Sequence, residues 1–318
     1  MTRPAKPRNA AGSDFAAMDG WIWLDGRLIT WRRARLHVLT HALHYASAVF
    51  EGQRAYQGHI FKLGQHSQRL HDSARMLGFD IPWCVAEINE ACRAVIQANG
   101  LTDAYLRPIA WRGSETMGVA AEPASVHLAV AAWPWKSYFA AAEVEKGLAL
   151  DIARWRRPSP ATAPAAAKAS GLYMICTMAA AEAHSRGLDD ALMLDWRGRI
   201  AEATGANVFF VRDGALHTPR PDCFLDGITR RTIIHLARRR GIEVVERPIW
   251  PHELAAFEQC FLTGSAAEVM PVRAAGSWSF EIGALTLQLR RDYLDLVNGR
   301  LESGGRDEVK EFRQAGSN

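Results

Sequence analysis

The chain has 318 residues, enough for two packed domains, and its 48% hydrophobic and 23% charged residues exclude a fibrous or disordered protein. Lys and Arg number 38 against 34 Asp and Glu, with both signs interspersed, so there is no nucleic-acid footprint. The first residues, MTRPAKPRNAAGSDF, lack the apolar core of a signal peptide, and no uninterrupted apolar stretch is long enough to span a bilayer. Residues 1–19 read as a flexible tail. Five cysteines, Cys84, Cys92, Cys176, Cys223 and Cys260, show no paired short spacing and an odd total, which points to reduced thiols and a cytoplasmic protein.

Order is expected from Gly20, where WIWLDGRLITW places two apolar runs around Asp25-Gly26, a hairpin dipeptide. A second antiparallel pair is predicted over 50–61, turning at Gln57-Gly58. Leu70, Ala74 and Leu77 recur at helical spacing over 67–77, with Gly78 as C-terminal cap, and a similar helix over 85–99 stops at Gly100. Strand-like runs follow at 104–112 and 126–133. The first half, 20–137, is therefore a small α+β domain, and the alanine-rich, charged stretch 138–147 is expected to connect it to a second domain over 148–301. In that second part, a strand at 148–155 leads into a Pro- and Ala-rich loop over 156–167. A helix over 172–186 follows, then hairpins at Arg197-Gly198 and Asp213-Gly214. The run Arg238, Arg239, Arg240 before Gly241 is explained by cations near the negative end of a helix. Residues 302–318 are polar and glycine-containing and read as a flexible tail.

Three places in the second half are odd for a purely structural domain. Lys168 stands at a loop-to-helix junction among small residues, AAAKASG, which leave space for a bulky adduct; alone, a lysine there is ordinarily a solvated surface group. At Asp226-Gly227-Ile228-Thr229 a helix starts after a glycine, offering free backbone N–H groups that can hold a phosphate, although most such starts hold only water. Thr263-Gly264-Ser265-Ala266-Ala267 follows the strand QCFL and offers a second small-residue turn with hydroxyls and amides.

Their combination and order resemble the fold-type IV pyridoxal-phosphate enzymes, and within them the branched-chain aminotransferases. The segments that carry the resemblance are HALHYASAVFEGQRAY, HSQRLHDSARMLGF, AYLRP, KASGLY, IAEATGANVFFV, DGITRRTII and LTGSAAEVMPV, seven in family order from Gly20 to Val272. The resemblance implies an α+β fold with a small N-terminal α/β sandwich domain and a larger C-terminal pseudo-barrel domain. The implied cofactor is pyridoxal 5'-phosphate and the implied assembly a homodimer, with amino acids and 2-oxo acids as the substrates.

Carried over position by position, the resemblance makes Lys168 the catalytic Schiff-base lysine, which needs a neutral amine and hence a depressed pKa. Glu202 is the carboxylate for the pyridine nitrogen, Arg69 grips the phosphate, and Tyr173 stands beside the phenolic oxygen. Gly205, Ala206, Leu225, Gly227, Ile228, Thr229 and Ser265 complete the implied cofactor contacts. For the substrate, Tyr105 and Arg107 receive the α-carboxylate with the turn at Ser265 and Ala266. Tyr45, Phe50, Gly52, Met117, Val119, Trp135 and Tyr138 line the side-chain pocket, with Met117 and Val119 candidates for reaching a neighbour's pocket; core packing is the ordinary role of such aromatic and aliphatic residues. Leu172, Ala206 and Ser265 depart from the common pattern and leave the pocket's shape open.

The implied reaction is ping-pong transamination of branched-chain or other apolar L-amino acids with 2-oxoglutarate. A D-amino-acid or R-selective amine transaminase on the same scaffold is the alternative, with an aminodeoxychorismate-type lyase less favoured because the long HALHYASAVFEG and AYLRP matches argue against it. His37, His41 and His44 have the spacing of one helical face, but no nearby carboxylate or cysteine completes a metal site, and no metal is expected. No G-x-S-x-G elbow or dinucleotide glycine fingerprint occurs.

Overall fold

A computed structural model of the chain describes residues 14–135 and 141–301. Strands β1 (Trp21–Leu24) and β2 (Arg27–Thr30) form the first hairpin. Asp25 and Gly26 turn it with φ of +46° and +93°, a left-handed pair that matches the twist of the strands it joins. Then come α1 (His41–Tyr45), β3 (Ala48–Phe50), β4 (Gln53–Tyr56) and β5 (His59–Ile60), followed by α2 (Leu63–Met76) and α3 (Val85–Ala98). The long pair β6 (Ala104–Arg112) and β7 (Val126–Pro134) completes an antiparallel sheet of order β2-β1-β7-β6-β4-β5, with β3 also on β6. Leu70 and Ala74 of α2 and Ile88, Cys92 and Val95 of α3 pack on Leu106, Leu128 and Val130 to make the core under this sheet.

After α4 (Ala141–Lys146), β8 (Leu148–Arg157) opens the second sheet. The loop beyond it ends in a 3-10 turn (Ser170–Tyr173) that feeds α5 (Met174–Ser185), and β9 (Asp190–Asp195), β10 (Ile200–Ala203), β11 (Asn207–Arg212) and β12 (Ala215–Pro219) follow. Helix α6 (Ile228–Arg239) and β13 (Val244–Arg247) precede the hairpin of β14 (Gln259–Gly264) and β15 (Glu268–Ala275). Strand β16 (Trp278–Ser279) and α7 (Ala284–Val297) end the described chain. The strand order is β10-β9-β8-β15-β14-β11-β12-β13, mixed in direction, with β16 on β15. This sheet curls until β10 lies against β11 and β12, as a pseudo-barrel requires. Its concave side buries Leu192, Val208, Phe210, Leu262 and Met270, and α6 and α7 cover Phe209 and Phe261 on the other.

Several boundaries differ from the sequence reading. Order begins by Phe15 rather than Gly20: residues 15–17 form a 3-10 turn whose Phe15 carbonyl accepts from Trp31 Nε1. Helix α2 starts four residues before Ser67, because His66, Ser67, His71 and Ser73 lie on its buried face and blur the apolar period. The helix expected over 172–186 divides into the 3-10 turn and α5. Residues 141–146 of the expected connection form α4, while residues 136–140 and the 302–318 tail lie outside the described residues. The three histidines do not converge on a shared point: His41 bonds Ser47 and the Gly118 carbonyl, His44 the Val38 carbonyl, and His37 accepts from the Leu39 amide. Among the described residues no helix is long and apolar enough to cross a membrane.

Candidate active site

A cleft opens where the two sheets face each other. Its lining draws on the elements of both, from Gly52, Tyr105 and Arg69 of α2 on the side of the first sheet to Lys168, Glu202, Ser265 and Thr229 of α6 on the side of the second.

Lys168 is carried by an irregular loop, yet its backbone is pinned on both sides. Its N–H donates to Ser73 Oγ of α2 at 3.0 Å, and its carbonyl accepts from the Phe50 N–H of β3 at 3.1 Å. The Lys168 amine donates to Tyr173 Oη at 2.7 Å and lies 4.9 Å from the Phe50 ring centre. Burial, with the Arg69 guanidinium nearby, pushes this amine down to about 8, partly opposed by Glu51. A minor fraction of it is therefore neutral near pH 7, far more than in an ordinary lysine. Tyr173 is pushed the other way, by burial and by Glu202, and keeps its proton.

Glu202 points inward from β10. Burial pushes its carboxyl up to about 7 against the pull of Arg157 and Lys168. Arg157 Nε stands 3.3 Å from Oε1, and Asn207 Nδ2 donates to Oε2 at 3.2 Å. The same Asn207 donates to the Leu225 carbonyl at 2.9 Å and accepts from the Gly227 N–H at 3.1 Å. One amide side chain thus registers the carboxylate against the start of α6. A Cβ on Gly227 would stand 2.2 Å from Asn207 Oδ1, so a side chain here would push the Asn207 amide aside. No side chain caps α6, which leaves the first amides, at Ile228 and Thr229, available to an anion at the helix's positive end.

Opposite α6, Arg69 of α2 is held by a bidentate pair to Glu51, Nε to Oε1 at 2.6 Å and Nη2 to Oε2 at 2.8 Å. Its remaining nitrogen, Nη1, is buried and without a partner, and so is Thr263 Oγ1 at the end of β14. Beyond Thr263, Gly264, Ser265 and Ala266 form the tip of the β14–β15 hairpin and line the cleft.

Tyr105 and Arg107 project from the same face of β6, as alternate strand residues must, and Arg107 Nη2 donates to Tyr105 Oη at 3.3 Å. The Arg107 guanidinium lies 4.8 Å from the Phe50 ring centre. Tyr105 Oη approaches the backbone so closely that a Cβ on Gly52 would come within 2.0 Å of it. Trp135 packs 5.1 Å from the Tyr105 ring.

The cleft lining therefore gathers Gly52, Arg69, Tyr105, Lys168, Tyr173, Glu202, Gly205, Ala206, Leu225, Gly227, Ile228, Thr229, Ser265 and Ala266 of the predicted set. Phe50, Arg107 and Trp135 are not in that lining but touch its residues, Phe50 against Lys168 and Tyr173, Arg107 and Trp135 against Tyr105. Tyr45, Met117 and Val119 do not belong to it: they are exposed, Val119 at 85%, on a surface joined by the His41 bond to Gly118. Tyr138 lies outside the described residues. Arg157, Cys176, Thr204 and Asn207, all in the lining, carry no role in the sequence reading, while Thr263 belongs to the hydroxyl-bearing turn named there. Asn207 was visible as the end of a glycine turn, but nothing in the linear pattern marks Arg157, a basic residue at a strand end. Glu51 and His66 were likewise unassigned; Glu51 follows the short run AVF, between β3 and β4, where nothing local marks its burial.

The sequence profile described as amino-transferase class IV matches residues 48–275. A branched-chain-amino-acid aminotransferase of Pseudomonas aeruginosa is 42% identical over 91% of this chain and 96% of its own. The solved structure of the Escherichia coli branched-chain amino acid aminotransferase superposes with a TM-score of 0.87 at 38% identity, covering 91% of this chain and 98% of that one. That of the T.th. branched-chain amino acid aminotransferase, complexed with N-(5'-phosphopyridoxyl)-L-glutamate, superposes at 0.85 and 37%, covering 89% and 96%.

Proposed function

The chain belongs to the class IV aminotransferases, and from that premise we propose that it moves the amine of a branched-chain or similarly apolar L-amino acid onto 2-oxoglutarate. Its cofactor is pyridoxal 5'-phosphate. The cleft fits that group on its own terms. Arg69 Nη1 and Thr263 Oγ1 are buried donors without partners, the amides of Ile228 and Thr229 are uncapped, and Lys168 presents an amine depressed to about 8. When bound, the cofactor supplies an aldehyde that captures amines and a ring that accepts the electrons of a broken C–H bond.

The protein's part is binding, orientation and proton handling. Arg69, Ile228, Thr229 and Ser265 hold the phosphate, with Thr263 Oγ1 in reach of the same cluster. Glu202, registered by Asn207 and Arg157, holds a proton at the pyridine nitrogen. Lys168 Nζ would carry the proton from the substrate α-carbon to the cofactor's C4′, and in the reverse sense on the other half of the cycle. Tyr105 and Arg107 receive the carboxylate, assisted by the amides at Ser265 and Ala266, and Phe50 and Trp135 offer apolar surface to the side chain. A relative binds an L-glutamate adduct, so one pocket of this kind serves both an acidic and an apolar partner.

The two sheets correspond to two domains over 20–137 and 148–301. The assembly is a homodimer in which Tyr45, Met117 and Val119 reach the neighbour's cleft, which accounts for their exposure. The five cysteines are free, as in a reducing cytoplasm. The L-configuration of the substrate is supported by the L-glutamate adduct of the T.th. relative.

The observation that carries the reading is the Lys168 amine, lowered to about 8, in the same cleft as a partnerless arginine nitrogen. A half-reaction screen with leucine, isoleucine and valine against their D-enantiomers and simple amines tests it. Conversion of the L-series is expected; conversion confined to D-amino acids or carboxylate-free amines would assign the protein to the alternative class.

A further inference from the structure

Glu51 is fully buried, yet it is not part of the proposed proton chemistry. Its carboxylate accepts from Arg69 Nε and Nη2, from His66 Nδ1 at 2.7 Å and from the Gly52 N–H at 3.2 Å. Burial opposes its ionisation, but the Arg69 charge and the hydrogen bonds from Arg69 and His66 outweigh that and hold it far below the usual carboxylate range. A buried anion beside a phosphate site repels the ligand that site must hold. Removing it would add net positive charge and, by charge alone, tighten phosphate binding.

Geometry offers the compensation. A guanidinium is a planar fork, and clamping Nε and Nη2 from one side fixes the plane and turns Nη1 away from the clamp. Nη1 is the nitrogen left buried and unpartnered, and Arg69 lines the cleft. The clamp is itself anchored: the Glu51 N–H donates to the Pro108 carbonyl of β6 at 2.8 Å, and the next residue, Gly52, abuts Tyr105 Oη. We propose that Glu51 is a positioning residue: it fixes the Arg69 fork so that Nη1 meets the cofactor phosphate at one orientation, registered to Tyr105 at the substrate end. The inference rests on Arg69 being the phosphate arginine.

The test is ligand selectivity in the whole protein, stripped of cofactor and titrated with pyridoxal 5'-phosphate and with pyridoxal, which lacks the phosphate. In Glu51→Gln one oxygen becomes an amide that cannot accept from Nη2 or His66. Glu51→Asp keeps the charge but is a methylene too short for the clamp, and it carries the test if the glutamine variant does not fold. Both variants are expected to weaken pyridoxal 5'-phosphate roughly 10- to 100-fold, the loss of oriented charge-assisted bonds, while pyridoxal binding stays within about twofold. Tighter phosphate binding in Glu51→Gln, wild-type selectivity in Glu51→Asp, or equal weakening of both ligands would overturn the positioning role. If the wild type itself failed to prefer the phosphorylated ligand, or Arg69→Gln kept that preference, the reading of Arg69 would fall instead.

Discussion

At the scale of single residues, the site works by pushing two titratable groups in opposite directions with the same low-dielectric surroundings. Lys168 is lowered from its ordinary 10.5 to about 8, so its neutral fraction, and with it the rate of cofactor capture, should climb about tenfold per pH unit below 8 and level off above. Stopped-flow mixing of the stripped protein with cofactor reads this directly; a flat profile would mean the amine is not the titrating group. Glu202 moves the other way, from 4.5 to about 7. Because its folded value is raised, the native chain holds an extra proton between those values. The associated stability is fully present below 4.5 and is lost as pH rises through 7. Denaturant midpoints of the stripped protein at about pH 5 and about pH 8 should therefore differ more in the wild type than in Glu202→Gln. Equal differences would show that Glu202 does not titrate with folding.

At the scale of elements, legibility followed how local the signal is. The Asp25-Gly26, Gln57-Gly58 and Asp213-Gly214 hairpins were readable because positive φ at two successive positions selects those residue pairs, and all six have it. The long strands β6 and β7 were readable from apolar runs. Helix α2 was misplaced because its buried face carries His66, Ser67, His71 and Ser73, residues kept for polar contacts that periodicity cannot foresee. In the site, Lys168, Glu202 and the start of α6 were visible as motifs, whereas Arg157 and Glu51 acquire their meaning only when strands distant in sequence come together. Gly227 shows what such a motif demands: Gly227→Ala drives a methyl into Asn207 Oδ1, disturbing the link between Glu202 and α6. Cofactor affinity should fall about tenfold or more, consistent with losing one oriented hydrogen bond to a charged group. Equilibrium titration of that variant checks it. Leu106→Ala, in the core beneath the first sheet, should instead lower stability by about 2–5 kcal/mol through cavity formation, read from the unfolding midpoint.

At the scale of the whole molecule, the cleft exists because two sheets are tied across it. Arg54 and Tyr56 of β4 reach Glu268 at the start of β15, at 3.5 and 3.1 Å, and the Lys168 backbone bonds Ser73 and Phe50. The first sheet thereby delivers Arg69 and Tyr105 to the second sheet's lysine, and neither sheet holds a complete site. The exposed apolar surface around Val38, Leu43, Tyr45 and Val119 has a consequence on the same scale. Val119→Asp should halve the mass measured by light scattering, and an unchanged mass would remove the proposed neighbour contacts from the pocket. The proposed activity depends on one amine lying within bonding reach of the cofactor's aldehyde. Borohydride reduction of the protein loaded with pyridoxal 5'-phosphate, followed by peptide mapping, tests that most directly. A phosphopyridoxyl group on Lys168 alone is the predicted result; a modified lysine elsewhere, or an unmodified Lys168, would contradict it.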